Sequence, residues 1–154
     1  MNAVDDKLPY SYRTDPDVPL FEDSSPIVFM DGECALCSRG ARLIARFDKA
    51  GEFRICPVQS PTGKAVLRHF GLNPSEPDSW LYLVDGRPFT SLDAIMRVGN
   101  RIGGAGRLLQ VFRFLPRGAQ DWLYGKLARS RYRLFGKTDM CALPDPELRA
   151  RLMH

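Results

Sequence analysis

Two cysteines three positions apart, Cys34 and Cys37, carry the clearest chemistry in this sequence. They stand in Asp31-Gly32-Glu33-Cys34-Ala35-Leu36-Cys37, after the apolar run 27–30 and before a helical pattern. Thiol–disulfide exchange needs an attacking thiolate and a second thiol to resolve the mixed disulfide. A two-residue spacer at a helix start supplies both. Positions i and i+3 share a face of the first turn, with Cα atoms about 5–6 Å apart, inside disulfide reach. The unsatisfied N–H groups and dipole of the helix end favour negative charge there. The N-terminal cysteine of such a motif is usually the one with the depressed pKa. Cys34 is therefore the expected nucleophile and Cys37 the resolving thiol, with no metal or organic cofactor required.

Neighbouring residues fill in the site. Asp31 ends the strand, where a partly buried carboxylate can take or relay the Cys37 proton. The alternative is a turn residue that bonds the backbone of Gly32 to Cys34. Gly32 permits the sharp turn out of the strand. Cys56 reads as a small buried hydrophobe. Cys141 either is buried or is an extra thiol that reaches the dithiol. A zinc site is the competing reading for the pair. Eighteen residues separate Cys37 from Cys56, a zinc-ribbon spacing, but the fourth ligand position is Gln59.

The surrounding pattern says what must hold this motif. The run 27–30 is a buried strand. A helix over 35–49 follows, with Leu36, Gly40, Leu43, Ile44 and Phe47 on its inner face. A strand over 52–58 puts Phe53 and Ile55 on one face and Arg54 and Cys56 on the other. Ser60-Pro61 opens a second helix to Phe70. An apolar strand over 79–84 turns at Asp85-Gly86 into a short strand over 87–90, and a third helix runs to about Asn100. The first β-α-β implies a right-handed parallel crossover, and the hairpin adds an antiparallel edge. The order β-α-β-α-β-β-α predicts an α/β fold of three layers, a four-stranded mixed sheet between helices. That is the thioredoxin-like arrangement, whose active site lies at the first strand–helix junction. Beyond Gly103-Gly104, helices are expected over 105–115, with Leu108, Val111, Phe112 and Leu115 sharing a face, and over 117–129. A short last helix is expected over 147–153.

The chain has 154 residues, enough for one core. No apolar run approaches the roughly 20 residues of a membrane span. Residues 1–25 carry six acids and two bases and no apolar h-region, so a flexible acidic arm without secretory signal is expected, and the cytoplasm is the default compartment. The domain is expected over 26–154, with 105–154 as a helical extension. Between Arg97 and Lys137 stand ten Lys or Arg and one acid, Asp121. Such a face suits an anionic membrane surface or an acidic partner, or is a solvated surface. No nucleic-acid motif accompanies it.

Asp31-Gly32-Glu33-Cys34-Ala35-Leu36-Cys37 resembles the Asp-x-x-Cys-x-x-Cys signature of the DCC family of thiol-disulfide oxidoreductases. The segment 53–60, with Pro57-Val58-Gln59-Ser60, is similar to that family's second strand and Pro-x-Gln-Ser. The segment 131–137 and the following Cys141 resemble its C-terminal Tyr-Arg-x-Phe-Gly and cysteine. The resemblance covers residues 27–152. It implies a thioredoxin-like domain with Asp31, Cys34 and Cys37 as the functional signature, acting on a disulfide- or dithiol-bearing protein or small molecule. Ordinary thioredoxins place a cis-proline directly before the third strand, beside the dithiol. Here Pro77 is followed by Asp78-Ser79-Trp80. Either Pro77 serves from a shifted loop, or Ser79 or Trp80 takes that position, and Trp80 is then an aromatic wall of the site or a core residue.

Overall fold

A computed structural model describes residues 7–75, 80–142 and 145–153. Four strands form one sheet in the order β2-β1-β3-β4. They are β1 (Ile27–Met30), β2 (Arg54–Pro57), β3 (Leu81–Val84) and β4 (Arg87–Phe89). β1 pairs parallel with β2 and antiparallel with β3, and β3 pairs antiparallel with β4. Side chains alternate across the sheet. Val28, Met30, Phe53, Ile55 and Tyr82 enter one core, and Ile27, Phe29, Cys56, Leu81 and Leu83 enter the other. Both faces are covered, so this is the mixed, three-layer, thioredoxin-like sheet that the strand order implied.

Helices α1 (Ala35–Phe47), α3 (Ser91–Ile102), α4 (Arg117–Phe135) and α5 (Pro146–Arg151) go with the first core, and α2 (Pro61–His69) with the second. Ser60 Oγ accepts from Gly63 N at the start of α2, with Pro61 in the first turn. Residues 7–25 lie along the second face. Tyr12 is buried there, stacked on Phe21 and edge-on to Phe70. Asp15 Oδ2 meets His69 Nδ1 at 2.6 Å. The C-terminal end is fastened to the edge of β2, where Met153 N donates to Ile55 O. Arg151 meets the buried Asp48 at 3.2 Å.

Three expectations need correction. The face of α1 expected in the core is turned aside. Ser38, Ala41, Ile44 and Ala45 are buried, whereas Leu43 and Phe47 are about half exposed. Small residues let the helix sit close to the sheet, and the larger ones flank it. The segment expected as an α-helix over 105–115 is a 3-10 helix, Gly104–Phe114. Its three-residue turn redistributes the side chains: Leu109 and Phe112 point inward, and Leu108 and Val111 do not. Finally, α4 continues six residues past the expected end, to Phe135.

Candidate active site

The dithiol sits at the junction of β1 and α1. Cys34 is the N-cap of α1 in extended conformation, and its Sγ accepts a hydrogen bond from Cys37 N at 3.4 Å. The sulfur thus stands at the N-terminal end of the helix, beside its unsatisfied N–H groups and the positive end of the dipole. Cys34 is fully buried and Cys37 is half-buried. The two cysteines therefore meet the surroundings unequally, and the residue expected to attack is the covered one.

The cover is a strap from the far end of the chain. After α4, Gly136 turns with φ of 78° and the backbone runs antiparallel to the active-site loop. Ala35 N donates to Gly136 O, Thr138 N to Glu33 O, and Met140 N to Gly32 O, the last two at 2.8 Å. Cys34 and Lys137 form an isolated bridge, and Met140 is fully buried in the core beneath. Cys141 follows directly, in the short 3-10 turn Met140–Ala142. That turn brings its backbone beside the dithiol loop; its side chain lies outside what is described, as do Pro77 and Ser79.

The loop 31–34 is held by Gln59, the residue at the fourth position of the zinc-ribbon spacing. Gln59 Nε2 donates to Asp31 Oδ1 at 2.6 Å, and Gln59 Oε1 accepts from Gly32 N at 2.9 Å. Asp31, itself buried, also accepts from Glu33 N at 2.9 Å. Asp31 and Gln59 thus hydrogen-bond to each other and to the backbone of Gly32 and Glu33 in the turn that leads to Cys34. The signal was present in the sequence, since Gln59 belongs to the Pro57-Val58-Gln59-Ser60 segment. Gly32 is needed for a reason other than the expected one. Its φ is not positive; a Cβ there would press on Gln59 Oε1 at 3.2 Å and on Pro57 at 3.3 Å.

A cleft of about 980 Å³ opens beside Cys37, at the top of the size range of small-molecule sites. Leu36, Gly40, Leu43 and Phe47 of α1 form one wall, with residues of α3, α4 and Leu109 opposite. Trp80 belongs both to this lining and to the first core. Its indole N–H is buried without an acceptor among the described residues. The lining is overwhelmingly aliphatic and aromatic. Its charged residues, Asp48, Lys49, Glu52 and Arg101, are far from Cys37 along α1 or beyond it.

The third described cysteine takes no part in this geometry. Cys56 is buried on the opposite face of the sheet, and burial pushes its thiol up to about 11. Among the described residues no three His, Cys, Asp or Glu side chains are grouped so as to hold a metal ion. Nor is any described helix long and apolar enough to cross a membrane.

The family model for DCC1-like thiol-disulfide oxidoreductases matches residues 28–137, from the first strand to the start of the strap. The chain belongs to that family. Two relatives agree. The uncharacterized protein YuxK of Bacillus subtilis is 32% identical over 127 residues, which is 82% of this chain and 93% of YuxK. A chloroplastic DCC family protein of Arabidopsis thaliana is 31% identical over 123 residues, 79% of this chain and 72% of that protein. No solved structure matches. The matched span of this DCC chain contains Asp31, Cys34, Cys37 and Gln59.

Proposed function

We propose that this chain is a thiol-disulfide oxidoreductase that works through Cys34 and Cys37 in the cytoplasm, where dithiols are kept reduced. The observation that carries the reading is the Cys37 N–H donated to Cys34 Sγ at the N-terminus of α1. It favours the Cys34 thiolate before any substrate arrives. Cys34 attacks one sulfur of a substrate disulfide, and the other leaves as a thiolate and takes a proton from water. Cys37 then loses its proton and attacks Cys34 in the mixed disulfide. The second substrate thiolate departs, the substrate has gained two electrons, and a Cys34–Cys37 disulfide remains. Asp31 and Gln59 act as positioning residues through the turn they hold. The apolar cleft beside Cys37 favours a substrate that carries apolar surface together with its disulfide. An acceptor oxygen on that substrate would complement the Trp80 N–H.

Burial of Cys34 supports a second order of events. A bulky disulfide meets Cys37 first unless the strap 136–140 lifts. Single-cysteine trapping separates the two, because only the attacking cysteine forms the mixed disulfide. Cys37→Ser should trap a model disulfide on Cys34 if Cys34 attacks. Cys34→Ser should trap it on Cys37 if the order is reversed. If neither variant forms an adduct, and both turn over disulfides as the parent does, thiol exchange at this pair is excluded.

A further inference from the structure

We propose that the 3-10 helix and the start of α4 form a docking surface for an anionic lipid bilayer, an inference independent of the thiol chemistry. The 3-10 helix Gly104–Phe114 has three residues per turn, so positions three apart stand in register along its length. One such row is Leu109 and Phe112, which reach the cleft and the core. The next row is Leu108, Val111 and Phe114, exposed by 76%, 61% and 88%. The remaining row holds Arg107, Gln110 and Arg113. Gln110 Nε2 is fixed to Met96 O at 2.6 Å, and both arginines are exposed. An aligned apolar ridge thus runs beside an exposed basic row.

The ridge is held outward rather than loosely draped. Gly99 of α3 and Gly106 pack backbone against backbone, with no room for a Cβ on either. Gln120 Nε2 closes the far end by donating to Phe112 O and Leu115 O. On α4, Trp122 is likewise 60% exposed, with Lys126 Nζ 4.9 Å from its ring. Leu127 then joins this exposed helix to the wall of the cleft that ends at Cys37. Several large apolar side chains exposed in one row in this way mark an interaction site.

Charge selects the occupant. Residues 104–137 contain eight Lys or Arg and one acid, Asp121. A second copy docking face to face would bring like charges together. Nucleic acid offers nothing for aliphatic Leu108 and Val111. An anionic bilayer suits both components: Leu108, Val111, Phe114 and Trp122 enter the headgroup–acyl boundary, and Arg107, Arg113, Arg117 and Lys126 lie on phosphates. The result is peripheral attachment, with no helix among the described residues that crosses.

The test is flotation of the full chain with phosphatidylcholine vesicles and with vesicles also containing phosphatidylglycerol, at low and high salt. The expected result is binding to the anionic vesicles that salt weakens. Arg113→Gln and Arg117→Gln should each weaken it about fivefold. Val111→Asp with Phe114→Asp should weaken it by at least about tenfold. Both of those positions are exposed, and unchanged circular dichroism will confirm that the variant folds. Cys34→Ser should float like the parent, so failure of the thiol mechanism would leave this result standing. Three outcomes overturn the proposal: no flotation at low salt; equal, salt-insensitive binding to phosphatidylcholine alone; or sedimentation as a dimer that the double substitution dissociates.

Discussion

Replacing Gln59 with Ala tests whether a residue outside the Cys-x-x-Cys motif sets the dithiol loop. The substitution removes two hydrogen bonds at once. One goes to the buried carboxylate of Asp31 at 2.6 Å, and such bonds contribute about 1.5–3 kcal/mol. The other satisfies the buried Gly32 N–H at 2.9 Å and contributes about 0.5–1.5 kcal/mol. Gln59 is itself exposed, so water can reach part of the vacated space and the lower ends of both ranges apply. The expected loss is about 2 kcal/mol. With a urea m-value of about 2 kcal/mol/M for a chain of this size, the unfolding midpoint falls by roughly 1 M. The same variant should change the rate at which an alkylating reagent reaches Cys34, because Asp31 and Gly32 lose the side chain that fixes their turn. Gln59→Glu should be worse at neutral pH, since it sets a second carboxylate on Asp31. A Gln59→Ala midpoint unchanged within error, with unchanged Cys34 alkylation, would refute the positioning role.

Other consequences follow from packing and charge. Gly106→Ala should cost about 1–3 kcal/mol, because its Cβ would meet the Gly99 carbonyl, which is backbone and cannot turn away; a thermal melt reads it. Arg151→Met should cost about 3 kcal/mol by stranding buried Asp48, lowering the melting temperature by roughly 6–12 °C. The Arg13 guanidinium, and then the Tyr12 hydroxyl, hold the Asp23 carboxyl below its usual range. A depressed folded value stabilises above the unfolded carboxylate pKa and is lost as pH falls through the folded one. Acidification below about pH 4 should therefore loosen residues 7–25, seen in the near-ultraviolet tyrosine signal, and Asp23→Asn should already lack that contribution at neutral pH. Cys56, raised to about 11 by burial, should resist alkylation in the native protein at pH 8 while the unfolded chain reacts.

The parts of the fold that short-range patterning controls were legible. Two apolar runs, one alternating segment, an Asp-Gly turn and a Ser-Pro cap led to the strands, the hairpin and α2. The family resemblance and the matched span 28–137 agree on the same motif. What escaped depends on contacts between distant segments. Leu36, Leu43 and Phe47 look like a core stripe, yet the sheet accepts Ala41 and Ala45 and leaves the larger side chains to a cleft. Gly99 against Gly106 shapes the 3-10 helix, and neither glycine announces its partner. The strap over Cys34 comes from more than a hundred residues later, and its hydrogen bonds are backbone bonds that leave no side-chain signature. Gln59 stands in the recognisable segment Pro57-Val58-Gln59-Ser60, close after β2, but nothing in that segment names Asp31 and Gly32 as the partners of its amide.

The most direct measurement of the central claim is a redox titration of Cys34 and Cys37. The protein is equilibrated across glutathione and dithiothreitol buffers, quenched with an alkylating mass tag, and the peptide bearing both cysteines is weighed. The expected result is a reversible two-electron transition between about −270 and −120 mV that disappears in Cys37→Ser. Two thiols that stay reduced across that whole range, in folded protein, would contradict it.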